Sequence, residues 1–203
     1  MKMVLCSALL ATLSPLLLVG CSSNPADANE APSDQMTTAS PTVDDSPMPQ
    51  ALETLIQLAD GQDIRNLAHH EPMLWTAGQL TAEQLSALAT AGMSVFISLR
   101  PADENGAGWE ETQLEGSSAQ FVRIPVQGKM GVTFENAQKL ADVLAQHRNE
   151  PVTVYCGSSN RVGALFALSA YKADGLPADQ ALAIGIEHGL SSLEPVVRGL
   201  LNL

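Results

Sequence analysis

The chain is poor in cysteine, with three in 203 residues, and poor in cations, with ten Lys and Arg against twenty-two Asp and Glu. The resulting net charge of −12 excludes a nucleic-acid surface, because a phosphate backbone is met by basic patches. Its partners are expected to be neutral, cationic or small. No apolar run is long enough to span a bilayer. Val4 to Val19 is short and is broken by Ser14 and Pro15, where a spanning helix needs about 20 apolar residues. A metal-ligand cluster is missing too: His69 and His70 stand beside Pro72 with no Cys or carboxylate set at ligand spacing, so neither a metal nor a cofactor is predicted. What the chain does have is 45% hydrophobic residues, enough for one core.

The N-terminus reads as an address. Lys2 supplies a thin positive region, an apolar stretch follows, and cleavage near Gly20 leaves residues 1–20 as a signal peptide. Leu18, Val19, Gly20 and Cys21 resemble the lipobox of bacterial lipoproteins, which makes Cys21 the expected lipidated first residue. Ser22, rather than Asp, follows it. By resemblance to the sorting rules of Gram-negative bacteria, that implies a cell-envelope protein on the outer membrane, facing the periplasm and held by its lipid anchor. Residues 21–50 are rich in Ser, Thr, Pro, Ala and Asp and contain no Lys or Arg, the composition of an acidic disordered tether. The folded domain is then 51–203. Cys6 leaves with the signal and Cys21 is capped by lipid, so Cys156 is the one remaining thiol. Structural cysteines of an oxidising compartment come in pairs, and an unpaired one points to reactivity.

Cys156 lies in the stretch around which the domain is organised, Pro151 to Tyr171. Val152, Val154 and Tyr155 make a short buried strand, and Val162 to Tyr171 is apolar almost all round, as a buried helix is. Between them lie Gly157, Ser158, Ser159 and Asn160, whose small side chains leave the backbone N–H groups free to converge on an anion at the N-terminus of the helix. The helix's positive end and the guanidinium of Arg161 both favour a thiolate over a thiol. Arg161 also brings planar donors that hold two oxygens of a phosphoryl group at once. A thiolate, an anion cradle and an Arg fork are the parts of a cysteine-dependent phosphatase.

Around this stretch strands alternate with helices. A helix is expected at 51–59, a loop through His69 and His70, a strand at 73–76, and a helix opened by Thr81 with Gln84 in capping-box position and closed by Gly92. Strands at 95–99 and 119–124 follow, then helices at 133–147, 178–186 and 193–201. This is the pattern of an α/β fold, a mostly parallel four-stranded sheet with helices on both faces. The loop after residue 99 carries Asp103 and Glu104 at the sheet end where α/β proteins bind ligands.

The runs W-T-A-G-Q-L-T, V-F-I-S-L-R-P-A-D-E, F-V-R-I-P-V and V-Y-C-G-S-S-N-R-V-G-A-L together resemble the bacterial dual-specificity-phosphatase-like proteins, also called the beta-lactamase-hydrolase-like phosphatase family, over about residues 64–190. The resemblance implies the three-layer α/β/α protein tyrosine phosphatase fold and a phosphorylated small molecule or protein as substrate. It assigns Cys156 as the nucleophile of a phosphocysteine intermediate, and Arg161 and the amides of 157–160 as phosphoryl ligands. Four features depart from the family pattern. The common loop is one residue longer than the four residues between Cys156 and Arg161, a length shared with rhodanese sulfurtransferases. Tyr155 replaces the usual His, Val162 replaces the usual Ser or Thr, and no Asp stands upstream at Ile124 to Gly128 to act as general acid. Asp103, Glu104 and Glu135 are the substitute candidates, each also readable as a surface carboxylate. A slow phosphatase, a sulfurtransferase and a non-catalytic anion or phosphoprotein binding module all fit these residues.

Overall fold

The computed structural model describes residues 49–203. The signal peptide expected at 1–20, the lipidation site Cys21 and the tether up to residue 48 lie outside the described residues. Among the described residues no helix is long and apolar enough to cross a membrane.

Helix α1 (Gln50–Asp60) takes up the last residue assigned to the tether. It is followed by β1 (Ala68–Glu71), β2 (Leu74–Ala77), α2 (Ala82–Ala91), β3 (Val95–Ser98), α3 (Glu110–Gln113) and β4 (Gln120–Arg123). The second half holds α4 (Phe134–Gln146), β5 (Val152–Tyr155), α5 (Asn160–Lys172), α6 (Ala178–Glu187) and α7 (Glu194–Leu201). Local signals set several of these bounds. Thr81 and Gln84 form the expected capping box, with the Gln84 N–H donating to Thr81 Oγ1 at 3.2 Å and the Thr81 N–H donating to Gln84 Oε1 at 2.9 Å. Thr133 caps α4 through the N–H of Asn136.

The sheet is α/β as expected but has five strands rather than four, in the order β1-β2-β5-β3-β4. Strands β2, β5, β3 and β4 are parallel, and β1 adds to β2 antiparallel. The sequence hides β1 because Ala-His-His-Glu contains no β-branched or aromatic residue outside the histidines. Pairing with β2, rather than intrinsic preference, makes it a strand.

Side chains alternate across the sheet with the period of two that a strand imposes. Val95, Ile97, Val152 and Val154 point to one core, shared with α4 to α7. Trp75, Phe96 and Tyr155 point to the other, shared with α1 and α2. The layers are therefore helix, sheet, helix. Helix α5 lies very close to α6: a Cβ added at Gly163 would come within 2.1 Å of the Leu190 nitrogen and 2.4 Å of the Gly185 carbonyl oxygen. That approach seats the start of α5 against residues 185–190.

In register, Ala77 and Ser98 both face Tyr155, and Ser98 also faces Arg123. The residues that follow, Gly78, Cys156, Leu99 and Ile124, therefore leave the sheet along one edge. In α/β sheets that carboxyl edge is where ligands bind.

Candidate active site

Strand β5 sits between β2 and β3 and delivers Cys156 to the middle of this edge. The residue is 1% exposed, still tied to β2 by its N–H to the Ala77 carbonyl, and its side chain lines a cavity of about 350 Å³. Glu104, Gly128, Lys129, Ser158, Asn160, Arg161 and Leu193 complete the lining.

The loop from Gly157 to Ser159 turns sharply because Ser159 adopts a left-handed φ of 64°. For an ordinary L-residue that conformation costs about 1–2 kcal/mol. Here Ser159 is buried, and its Oγ donates to the His188 carbonyl at 3.1 Å. Gly189, at φ 99°, must be glycine beside it, since an added Cβ would fall 2.7 Å from the Ser159 side chain. Asn66 steadies the opposite side by donating from Nδ2 to the Ser158 carbonyl at 3.0 Å. Asn160, also in the lining, ties its side chain to the 191–193 segment: its Oδ1 accepts from the N–H groups of Ser191 and Leu193, and its Nδ2 donates to Ser192 Oγ. The side chains of Ser159 and Asn160 therefore act as struts. Their backbone, with that of Gly157 and Ser158, forms the loop. The first N–H groups of α5 have no intrahelical acceptor.

Arg161 is held from two sides. Nη1 donates to Glu104 Oε2 at 2.6 Å and to the Val126 carbonyl at 3.0 Å, while Nη2 donates to Glu104 Oε1 at 2.8 Å. A guanidinium has five N–H bonds. These contacts use the edge between Nη1 and Nη2 and leave the Nε–H and the second Nη2–H, which lie side by side, as an unused bidentate edge. Nη2 also lies 3.6 Å from where a Cβ on Gly157 would sit, so that edge borders the Cys156 loop.

Glu104 is gripped again by Arg100 Nε at 2.7 Å. Arg100 is 7% exposed and organises the whole 100–108 loop by donating to Gln79 Oε1 and to the carbonyls of Asn105 and Gly106. Hydrogen bonds from Arg161, and then those from Arg100, pull the Glu104 carboxyl down to about 2 against the opposing effect of burial. The same bonds raise Arg161 above its ordinary value, with Cys156 adding to the effect.

Residues 49–182 match the family described as DSP-PTPase phosphatase fused to NAD+ kinase. The chain belongs to that family. No curated protein matches it. Among solved structures, a candidate phosphatase of domain family DUF442 from Shewanella putrefaciens CN-32 superposes with a TM-score of 0.56 at 21% identity, covering 72% of this chain and 96% of that one. A candidate phosphatase from Neisseria meningitidis gives 0.52 at 21% identity, over 68% of this chain and 98% of its own. TpbA of Pseudomonas aeruginosa, solved as a cysteine-to-serine variant in complex with phosphotyrosine, gives 0.51 at 17% identity, over 66% and 81%. These likenesses establish the fold, that of the protein tyrosine phosphatases.

Within this DSP-PTPase domain the three candidate acids separate. Glu104 lines the cavity, where three guanidinium hydrogen bonds hold its carboxyl well below the usual carboxylate range, so it is placed as an ion-pair partner of Arg161. Asp103 is exposed on the 100–108 loop and does not line the cavity. Glu135 is exposed on α4, where it pairs with Lys139 at 2.7 Å. His69 and His70, expected in a loop, belong to β1. His69 Nε2 meets Asp60 Oδ1 at 3.0 Å, and the His70 ring stacks on His188 at 3.7 Å between centroids.

Lys129, Arg100 and Leu193 do not stand out in the sequence. Arg100 has a readable signal, an Arg ending the buried run Val-Phe-Ile-Ser-Leu. Lys129 and Leu193 have none, because only the approach of the 125–131 and 190–193 segments to Cys156 gives them a role.

Proposed function

We propose that the domain is a cysteine-dependent phosphatase that hydrolyses phosphomonoesters through a phosphocysteine intermediate. The observation that carries the reading is that Cys156 and the unused Nε–Nη2 edge of Arg161 meet at one cavity above the N-terminus of α5. The phosphoryl group sits on the loop amides and that edge. Cys156 Sγ, as thiolate, attacks phosphorus; the S–P bond forms as the P–O bond to the leaving group breaks, and the departing oxygen takes its proton from water. Water then attacks phosphorus, the S–P bond breaks, and inorganic phosphate and the thiolate are released.

Among the described residues Glu104 is the one carboxylate lining the cavity, and its hydrogen bonds from Arg161 and Arg100 favour the ionised form. General acid assistance contributes about a hundredfold to ten-thousandfold and matters most for poor leaving groups. The domain is therefore expected to turn over activated aryl phosphates slowly and alkyl phosphates hardly at all. The test is hydrolysis of 4-nitrophenyl phosphate and of phosphoserine by the full chain, with Cys156→Ser and Arg161→Ala as controls. Aryl ester turnover that both variants abolish supports the reading. Turnover surviving Cys156→Ser refutes it.

The absence of an un-ionised acid in the cavity also favours a second reading, a non-catalytic module that binds an anion or a phosphoprotein. Phosphate binding without turnover of the activated ester would select it. Transfer of sulfur to cyanide would select the rhodanese-like reading, which the four-residue loop supports. The location proposed for the protein is the bacterial envelope, with residues 1–20 removed, Cys21 lipidated and residues 21–50 as the tether to the outer membrane. Cys21→Ala should release the processed protein from the membrane fraction.

A further inference from the structure

The cavity over Cys156 is lined by a second cation besides Arg161, namely Lys129. Among its lining residues, Arg161 is already paired with Glu104, which Arg100 shares. Lys129, like Arg65, Arg148 and Lys172, has no carboxylate partner among the described residues, and of these four it alone lines the cavity. In a chain of net charge −12 an anion is repelled at long range, so local cations must hold it.

The turn that presents Lys129 is fixed to the catalytic machinery. Its base, Val126, accepts from Arg161 Nη1 at 3.0 Å and donates its N–H to the Leu99 carbonyl at 3.0 Å. The turn closes through the Gly131 N–H to the Gln127 carbonyl, and Asn136 Nδ2 donates to the Gly131 carbonyl at 2.8 Å. Lys129, exposed on this turn, thus lines the cavity from the strand β4 side, on a different element from Arg161. The cavity's 350 Å³ falls at the lower end of small-molecule sites, about 300–1,000 Å³, which is more room than a phosphoryl group fills. Among the described residues of the lining, Leu193 is the one apolar side chain larger than Cys156, and none is aromatic.

Resting on the phosphatase reading above, we propose that Lys129 is a specificity-determining residue and that the substrates are small polar phosphate esters bearing a second anionic group. The phosphoryl occupies Arg161 and the α5 amides, and the second phosphate or carboxylate pairs with the Lys129 ammonium.

The test reads binding apart from turnover. Orthophosphate and pyrophosphate are titrated calorimetrically, at fixed ionic strength, into the full chain carrying Cys156→Ser, with and without Lys129→Met or Lys129→Arg. Pyrophosphate is expected to bind tighter than orthophosphate, and Lys129→Met should cut that preference about twofold to fivefold, the range of a solvated charge pair. Lys129→Arg should keep most of it. In the otherwise unaltered chain, kcat/KM for 4-carboxyphenyl phosphate relative to phenyl phosphate should fall with Lys129→Met in the same proportion. A preference that Lys129→Met does not change overturns the proposal, and so does an equal loss for both anions, which would put Lys129 on the phosphoryl itself. Orthophosphate that fails to bind at all removes the anion site and the phosphatase reading with it. Orthophosphate binding with no pyrophosphate preference removes only the role given to Lys129.

Discussion

Replacing Glu104 by Gln keeps the size of the side chain and removes the charge between two guanidiniums. Arg161 would lose a bidentate carboxylate at 2.6 and 2.8 Å, and Arg100 would lose its contact at 2.7 Å. The Glu104 carboxyl is lowered from 4.5 to about 2. Taken at face value such a shift corresponds to roughly 3 kcal/mol of stability. The side chain is 32% exposed, and screening by solvent reduces this to about 1–2 kcal/mol. The folded-state pKa lies below the unfolded one, so the contribution is present above about pH 4.5 and is lost as pH falls toward 2. Urea denaturation of both forms should therefore show Glu104→Gln less stable by about 1–2 kcal/mol at pH 7. By pH 3 the gap should be less than half as large, because the unfolded state is by then protonated. Phosphate affinity should weaken as well, since only the Val126 carbonyl, at 3.0 Å from Nη1, would then hold the Nη1–Nη2 edge of Arg161 in place. A stability gap equal at the two pH values would refute the ion-pair argument. A variant as stable as the parent at pH 7 would do the same.

Acid should also act through the stacked rings of His70, His188 and Phe166. Desolvation, then the neighbouring His188, lowers His70 from 6.5 to about 4 against the pull of Glu187, and His188 is lowered mainly by burial, with its bond to the Ile184 carbonyl, then Glu187 and Glu71, opposing. The unfolded chain takes up these protons first, so stability should decline from pH 6.5 toward 4, and His70→Gln should flatten that slope in thermal melts. Gly163→Ala should cost about 3 kcal/mol or more, because the added methyl meets backbone at 2.1 and 2.4 Å. Gly199→Ala, with no atom within 4 Å of the new Cβ, should instead stabilise α7 by up to about 1 kcal/mol; equal effects at the two glycines would undo the close-crossing argument. Asp103→Asn and Glu135→Gln should leave aryl phosphate turnover within about twofold, as surface changes of roughly 0.5 kcal/mol or less do. A hundredfold loss for either would identify it as the proton donor.

The strand, the loop of small residues and the buried helix around Cys156 could be read directly from the chain, as could the Thr81 N-cap. Each depends on contacts among near neighbours: a β-branched run bounded by a polar loop, an apolar helix, a hydroxyl three residues before a free N–H. That Cys156 and Arg161 belong to one site followed from the same local order, because a strand that feeds a helix through four small residues has little freedom. The edge strand β1 could not be read this way, since it exists only by pairing with β2. Nor could the fate of the carboxylates be read. Asp103, Glu104 and Glu135 are equally acidic in sequence, and only the folding of the 100–108 loop around Arg100 brings Glu104, alone of the three, onto Arg161. Tertiary structure thus made Glu104 an ionised strut and Lys129 an unpaired cation at the cavity, because the electrostatic character of a side chain depends on charges brought near it from distant parts of the chain.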